Sequence, residues 1–190
     1  MGRAMLIAGG GSMEPQMILA QAVGAVGMTI AILAYQCKDN RRLFATQIAA
    51  AVVLAIHYLL LNAMTGLLMN MIGVVRLFFL YNGKKKWARH PAAMIGVMAL
   101  FVVGGAFTYN GWLSILATAA TALGTPFYWR QNGKTLRYAQ LGFISPCWLI
   151  YDIAFLSIPG IITESFAIVS VIISLIRFRG VDQITPDMEK

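Results

Sequence analysis

The residues best suited to chemistry lie in short polar interruptions of otherwise apolar stretches. His57-Tyr58 interrupts one stretch and Tyr151-Asp152 another, while Asn70 and Glu164 lie near the starts of the stretches that follow. Carboxyl groups there could bind a cation or a proton that a histidine relays, and aromatic rings could stack on an organic solute. Because a charge at membrane depth costs a few kcal/mol or more, such groups are usually paired, neutralised or functional.

These side chains are predicted to line one outward-facing pocket. The candidate substrate-binding residues are His57, Tyr58, Asn70, Trp148, Tyr151, Asp152 and Glu164. The alternative is structural: His57 and Asp152 would form a packed polar pair, and Glu164 would lie in the membrane interface near a helix end. Arg76 is a candidate for anion contact or for an inner gate, or else its side chain extends to the cytoplasmic surface.

The elements that must position these residues are membrane-spanning helices. With 59% hydrophobic and 12% charged residues, the chain is too apolar for an ordinary soluble domain. A bilayer needs roughly 20 apolar residues per helix, and Gly or Pro boundaries divide the chain into seven such pieces. The predicted spans are Met17–Gln36, Leu43–Asn62, Gly66–Asn82, Ala92–Tyr109, Gly111–Trp129, Leu136–Ser157 and Gly160–Phe178.

The cations lie in alternate loops of this arrangement. The basic positions are Lys38, Arg41 and Arg42, then Lys84, Lys85, Lys86 and Arg89, then Arg130, Lys134 and Arg137, and finally Arg177 and Arg179. The positive-inside rule therefore predicts a periplasmic amino terminus and a cytoplasmic carboxyl terminus. The net charge of +8 is thus explained by topology and by anionic headgroups rather than by nucleic acid. Residues 1–16 and 180–190 are expected to be tails.

The two halves of the chain also align with each other at an offset of 93 residues. Tyr58 then falls on Tyr151 and Gln47 on Gln140, and one extra residue in the second half brings "GLLMN" at 66–70 onto "GIITE" at 160–164. One odd helix separates the copies, so both enter the membrane in the same direction. The prediction is an all-α protein of two parallel three-helix repeats, 17–82 and 111–179, joined by a loop and linker helix at 83–110. In transporters with such repeats the site lies between them.

The motifs in these repeats resemble those of a known family. "YQCKDNRRLFATQ", the His57-Tyr58 pair, "MNMIGVVRLF", "SPCWLIYD" and "ITESFAIVSVIISLIRFRG" resemble the YgjV-type bacterial inner-membrane proteins over about residues 17–180. In layout alone, the predicted arrangement is similar to that of PnuC vitamin-precursor transporters and SWEET sugar transporters. That likeness implies a central solute pathway without naming a solute.

Three classes of function remain open at this point. The first is a transporter of a small polar solute, and the second is a membrane scaffold or assembly factor whose polar layer only fixes helix register. An intramembrane enzyme is the third, and it is disfavoured because the sequence contains no HExxH, GxSxG or CxxC motif. Cys37 and Cys147 suggest neither a disulfide nor a metal site. No catalytic residue, metal or cofactor is predicted, and the expected partners are the bilayer, a solute and a second copy of the chain.

Two further features of the second half concern helix packing and bending. The residues Ser114, Thr118, Thr121 and Thr125 follow helical spacing and would either line a pathway or allow close packing. Packing is the favoured interpretation. Pro146 removes a backbone donor in the middle of a span and predicts a point of bending.

Overall fold

The computed structural model describes residues 15–34, 37, 39–130 and 132–177, and within these residues the protein is all-helical. Nine α-helices and one π-helical segment occur there. They are α1 (Pro15–Ala34), α2 (Asn40–Leu60), α3 (Met64–Tyr81), α4 (Lys86–Arg89), α5 (Pro91–Phe107), α6 (Trp112–Arg130), α7 (Gly133–Ala139), the π segment (Gln140–Ile144), α8 (Ser145–Ala154) and α9 (Ile158–Arg177). The all-α class predicted from the sequence is confirmed.

Each predicted span corresponds to one helical stretch, with ends that differ by a few residues. The first helix begins at Pro15, two residues earlier than predicted, and the sixth predicted span is divided into α7, the π segment and α8. The one-turn helix α4 was not predicted. Residues 1–14 and 180–190, which cover most of the predicted tails, lie outside the described residues, as do the predicted span ends Gln36 and Phe178.

Among the described residues, four helices are long and apolar enough to cross a membrane. They are α1, α2 from Arg41, α3 and α9, whereas α5 is apolar but shorter. Helix α6 has 19 residues but includes four serine and threonine side chains. These helices are candidate membrane spans, and the prediction of seven spans goes beyond what helix length and composition establish.

Polar residues at the loop ends define where several helices begin. Asp39 accepts hydrogen bonds from the backbone N–H groups of Arg41 and Arg42 at the start of α2, at 3.3 and 3.4 Å. Asn132 accepts similar bonds at the start of α7, and His90 precedes Pro91 at the start of α5. Such residues satisfy N–H groups that have no partner inside the helix, so they fix the first turn.

The helices form two groups that contact each other. Helices α1, α2 and α3 pack together as a first group, and α6, α8 and α9 as a second. The groups meet where α1 packs on α9 and where α3 packs on α6, so the first helix of each group contacts the last helix of the other. Helix α5 packs on both α3 and α6.

The turn between the last two helices has the same backbone form in both groups. The Ala63 N–H donates to the Tyr58 carbonyl at 2.9 Å, and the Ser157 N–H donates to the Asp152 carbonyl at 2.9 Å. Asn62 and Leu156 precede these donors with φ of 54° and 55°, and no other non-glycine residue in the described ranges has a positive φ. Both turns therefore have the form of a left-handed helix C-cap, with this conformation at equivalent positions.

This correspondence has an offset of 94, so the predicted pairing of Tyr58 with Tyr151 is wrong by one residue. The structure instead matches Tyr58 with Asp152. The physical reason lies in the π segment, where the Ser145 N–H bonds to the carbonyl of Gln140, five residues earlier. A π turn accommodates one additional residue in a helix. Pro146, which cannot donate a backbone hydrogen bond, follows directly and favours a break in the regular pattern.

Candidate functional site

His57 is fully buried and joins three helices. Its Nδ1 lies 2.7 Å from the carbonyl oxygen of Ala20 in α1, and its Nε2 lies 2.8 Å from the hydroxyl of Ser157, just before α9. A carbonyl oxygen can only accept, so in the neutral ring Nδ1 carries the proton and Nε2 accepts from Ser157. Both ring nitrogens are therefore satisfied without a ligand, and the alternative of a polar pair between His57 and Asp152 does not occur as a direct contact.

Tyr58 and Asp152 make a direct, buried polar contact between the two helical groups. The Tyr58 hydroxyl donates to Asp152 Oδ1 at 2.7 Å, and only 4% of Tyr58 and 1% of Asp152 is exposed. The Ser157 hydroxyl also lies close to the Asp152 carboxyl group. A hydrogen bond that involves a carboxylate is among the stronger kinds, and a buried carboxylate needs such partners.

Trp148 and Tyr151 complete an aromatic cluster around this contact. Their ring centroids are 5.6 Å apart, and each lies about as close to the Tyr58 ring, at 5.9 and 6.1 Å. The Tyr151 hydroxyl accepts a hydrogen bond from the backbone N–H of Gly66 at 2.8 Å. The cluster thus supplies π faces and hydroxyl groups within one packed layer.

Two equivalent glycines allow the helices to approach this cluster. A Cβ atom on Gly66 would come within 2.8 Å of the Tyr58 ring, and one on Gly160 would collide with the Asp152 carboxyl group. Gly66 begins the stretch that was aligned with Gly160 from the sequence. In each group the glycine lies eight residues after the side chain that it contacts, so both approaches use the same local geometry.

Asn70 does not join the cluster through a side-chain hydrogen bond to another helix. Its Nδ2 donates to the carbonyl oxygen of Gly66 at 2.9 Å, within the same helix. The structure thus brings together His57, Tyr58, Trp148, Tyr151 and Asp152, and it places Asn70 at the side of this group.

Glu164 is directed inward rather than to the membrane interface. Its Oε2 atom is enclosed and has no hydrogen-bond partner among the residues that the structure describes. The hydroxyl of Ser145 lies close to the carboxyl group, and Asp152 is near enough to interact with it electrostatically. An enclosed carboxyl oxygen without a donor is energetically costly, which marks Glu164 as a candidate ligand-binding group.

Arg76 likewise is directed inward. Its Nε atom is buried and unpartnered within the described part of the chain, while its guanidinium carbon lies 4.3 Å from the centroid of the Tyr128 ring and 5.5 Å from that of Phe101. These contacts are cation–π interactions. The alternative in which this side chain extends to the cytoplasmic surface is not the arrangement in the structure.

Three polar residues connect the surroundings of Glu164 with those of Arg76. The Tyr128 hydroxyl donates to Gln140 Oε1 at 3.2 Å, and Gln140 Nε2 donates to the Ser145 hydroxyl at 2.7 Å. We refer to Glu164, Ser145, Gln140, Tyr128 and Arg76, in this order, as the polar file. It extends from the aromatic cluster toward the end of α3 that carries Arg76.

A family model described as Imp-YgjV, bacterial inner membrane protein, matches residues 18–181. The chain belongs to the Imp-YgjV family. It is also similar to the inner membrane protein YgjV of Escherichia coli (strain K12), with 25% identity over 174 residues that cover 86% of this chain and 89% of that protein. No solved structure matches.

Membership of the Imp-YgjV family confirms the resemblance inferred from the sequence. Together with the apolar helices, it places the protein in the bacterial inner membrane as a multi-pass protein. Neither description names an activity or a substrate. The likeness in layout to PnuC and SWEET transporters therefore remains a prediction from the sequence.

Sequence reasoning missed three members of the polar file in this Imp-YgjV protein as site residues. Gln140 appears in the sequence analysis through its alignment with Gln47, and Ser145 lies in the "SPCWLIYD" motif. The five-residue spacing of Ser145 from Gln140 matches the i to i+5 hydrogen bond of a π-helix rather than the spacing of an α-helix. The π turn itself is a finding of the structure.

The serine and threonine stripe of α6 serves helix packing. Ser114 and Thr65 share a hydrogen bond of 3.0 Å between α6 and α3, while the Thr121 hydroxyl bonds within its own helix and lies 3.2 Å from the sulfur of Met69. Thr125 is fully buried and donates to the Thr121 carbonyl. These contacts support the favoured packing interpretation over a pathway lining.

Proposed function

We propose that the protein moves a small polar solute across the bacterial inner membrane through a site between two parallel three-helix units. The units are residues 17–82 and 111–179, and residues 83–110 supply the linking loop and helix. In this proposal the chain crosses the membrane seven times, with the amino terminus in the periplasm and the carboxyl terminus in the cytoplasm. The protein is then a transporter rather than an enzyme.

The matching turns support the proposed division of the chain into two equivalent three-helix units. Asn62 and Leu156 take the same unusual backbone conformation at an offset of 94, and the hydrogen bonds around them correspond one to one. The reciprocal packing of α1 on α9 and of α6 on α3 is what an approximate two-fold relation between the units would produce. In parallel repeats that axis runs along the membrane normal.

The observation that carries the proposal is the pairing of Tyr58 with Asp152. These residues occupy equivalent positions in the two units and touch each other, so they lie on the proposed axis. Beside them, Glu164 has an enclosed oxygen with no partner in the described ranges. A site on such an axis changes shape when the units rock against each other, and its carboxyl groups can take up a cation or a proton that accompanies the solute.

The seven proposed substrate-binding residues divide into three roles. Tyr58, Trp148 and Tyr151 provide the aromatic faces for an organic solute, while Asp152 and Glu164 provide carboxyl groups. His57 holds the surrounding helices through bonds to Ala20 and Ser157, and Asn70 lies beside the site with its side chain bonded to Gly66 in its own helix. Arg76 acts at the inner end as the contact for an anionic group.

Uptake into vesicles of purified protein tests this proposal. Proteoliposomes and protein-free liposomes are incubated with a defined mixture of amino acids, sugars, nucleosides and polyamines, and the retained solutes are identified by mass spectrometry. We expect at least one solute to enter the wild-type vesicles and to be lost with Asp152→Asn. Asp39→Asn is the matched control, because it changes an exposed carboxylate whose capping role asparagine can fill. If wild-type vesicles retain no more of any solute than empty ones, transport of these classes is excluded.

A scaffold is the second candidate, and the complete hydrogen bonding of His57 favours it. Both ring nitrogens bond to protein groups, as expected of a residue that fixes helix register. For a scaffold we expect Asp152→Asn to leave thermal stability unchanged and to remove a protein that copurifies with the wild type. Retention of every copurifying protein by this variant would contradict the scaffold.

A further inference from the structure

The two charged ends of the polar file have unused hydrogen-bonding capacity. Glu164 Oε2 and Arg76 Nε are the buried side-chain nitrogen and oxygen atoms without a partner in the part of the chain that the structure describes. Every other enclosed side-chain donor or acceptor of these residues has a partner. One atom belongs to an acidic side chain and the other to a basic one, and they lie at opposite ends of the polar file. A single ligand could therefore satisfy both.

Contacts among the described residues leave both ends of the polar file unsatisfied. Buried charges are normally paired, and an unpaired one costs several kcal/mol. The Tyr128 ring stabilises the Arg76 guanidinium through its face, but a ring provides no acceptor for the Nε hydrogen. Between the ends, the amide of Gln140 bonds to Tyr128 and to Ser145 rather than to either charged group.

The separation of the charges indicates the kind of group that could satisfy them. In the proposed repeat, Glu164 corresponds to Asn70, and Arg76 lies six residues further along α3. At 1.5 Å per residue, the Cα atoms of the two residues differ by about 9 Å in depth. Since neither Glu164 Oε2 nor Arg76 Nε has a partner in the described residues, the interval between them suits a small molecule that carries opposite charges a few bonds apart.

We propose that the polar file binds an amphoteric solute, whose ammonium group pairs with Glu164 and whose acidic group pairs with Arg76. This inference rests on the proposed function and names the substrate class of the same transporter. Arginine suits the acidic end because its planar donors match a carboxylate or a phosphate. Tyr128, Gln140 and Ser145 line the interval with groups that can both donate and accept, as the uncharged middle of such a solute requires.

Ligand-dependent thermal unfolding of the purified protein in nanodiscs tests the inference. The amphoteric probes are glycine, taurine, 4-aminobutyrate and 6-aminohexanoate, and the singly charged analogues are butyrate and butylammonium. We expect at least one amphoteric probe, and more strongly a longer one than glycine, to raise the unfolding temperature of the wild type. Each singly charged analogue lacks one charge-assisted bond, so its binding should be weaker by roughly 10- to 150-fold.

Variants of Arg76 and Glu164 then test the role of each end of the polar file in binding the probe. Arg76→Gln and Glu164→Gln should each weaken binding of the effective amphoteric probe by the same roughly 10- to 150-fold. Arg76→Lys should retain part of the affinity because it keeps the positive charge. Arg42→Gln is the matched control, since it removes an exposed arginine at the start of α2. If Arg76 and Glu164 were purely structural, their replacement would lower the stability of the protein equally with every probe. The ratio of affinities for the amphoteric and singly charged probes would then stay unchanged.

The outcomes separate this inference from the transport proposal. The inference is wrong if no amphoteric probe binds more tightly than its singly charged analogue, a comparison that needs only the wild type. It is also wrong if both Gln variants fold and bind the amphoteric probe as the wild type does. Transport of a sugar or another uncharged solute would overturn the substrate class while it upholds the transporter. Charge-selective binding without uptake would uphold the site while it contradicts transport.

Discussion

Replacing Gly160 with alanine tests the close approach of α9 to Asp152. In an exposed helix this change would stabilise the fold by up to about 1 kcal/mol, because alanine favours the helix. Here the added Cβ would collide with the Asp152 carboxyl group, and the neighbouring atoms are those that bond to Tyr58. Overpacking typically costs about 1 to 3 kcal/mol. Loss of a hydrogen bond between membrane helices adds about 0.6 to 1.7 kcal/mol.

With the gain in helix propensity set against these costs, we expect Gly160→Ala to destabilise the protein by about 1 to 4 kcal/mol. Reversible unfolding of the purified protein in mixed micelles, followed by circular dichroism, measures this difference. Gly73→Ala is the matched control: Gly73 lies inside α3, and a Cβ there meets no atom within 4 Å. The control should be neutral or slightly stabilising. If Gly160→Ala is as stable as Gly73→Ala, the tight contact at Asp152 is refuted.

Two further predictions concern tyrosines in the site. Tyr58→Phe removes the donor to Asp152 and should cost about 0.6 to 1.7 kcal/mol in the same unfolding assay, whereas Tyr81→Phe, which removes a hydroxyl near the surface, should cost less. Equal effects of the two changes would contradict the importance of the buried bond. Tyr128→Leu removes the ring beneath Arg76, whereas Tyr128→Phe keeps it, so the leucine variant should be less stable by about 1 to 2 kcal/mol. Equal stability of these two variants would show that the cation–π contact contributes nothing.

The helical framework was largely predictable from the sequence because apolar runs of membrane length identify helices by composition alone. Gly and Pro near the run ends placed most boundaries within a few residues of the observed ones. The one-turn helix α4 escaped prediction because four residues between two basic positions have no periodicity to detect. The division of the sixth predicted span escaped for a different reason, since a π turn changes the register without changing the hydrophobic character.

The site was predictable in its residues but not in its contacts. Polar side chains in otherwise apolar stretches identified four members of the site, namely His57, Tyr58, Tyr151 and Asp152. The contacts came only from the structure, in which Tyr58, and not His57, bonds to Asp152. The inward direction of Glu164 and Arg76 could not be read from the sequence, because depth in a span does not tell which side of the helix faces the protein.

The parallel orientation of the two units can be measured directly, from the side of the membrane at which equivalent positions are labelled. Met64 and Ile158 are exposed, equivalent residues at the starts of α3 and α9. In a background with Cys37 and Cys147 changed to serine, a cysteine at either position is reacted with a membrane-impermeant maleimide in intact cells and in inverted vesicles.

Parallel units predict that cysteines at positions 64 and 158 both react from the periplasmic side, and that Lys85→Cys, in the basic loop, reacts only from the cytoplasmic side. The comparison depends on the side of labelling and not on the solute. Labelling of positions 64 and 158 from opposite sides of the membrane would contradict the parallel arrangement, and with it the shared axis through Tyr58 and Asp152.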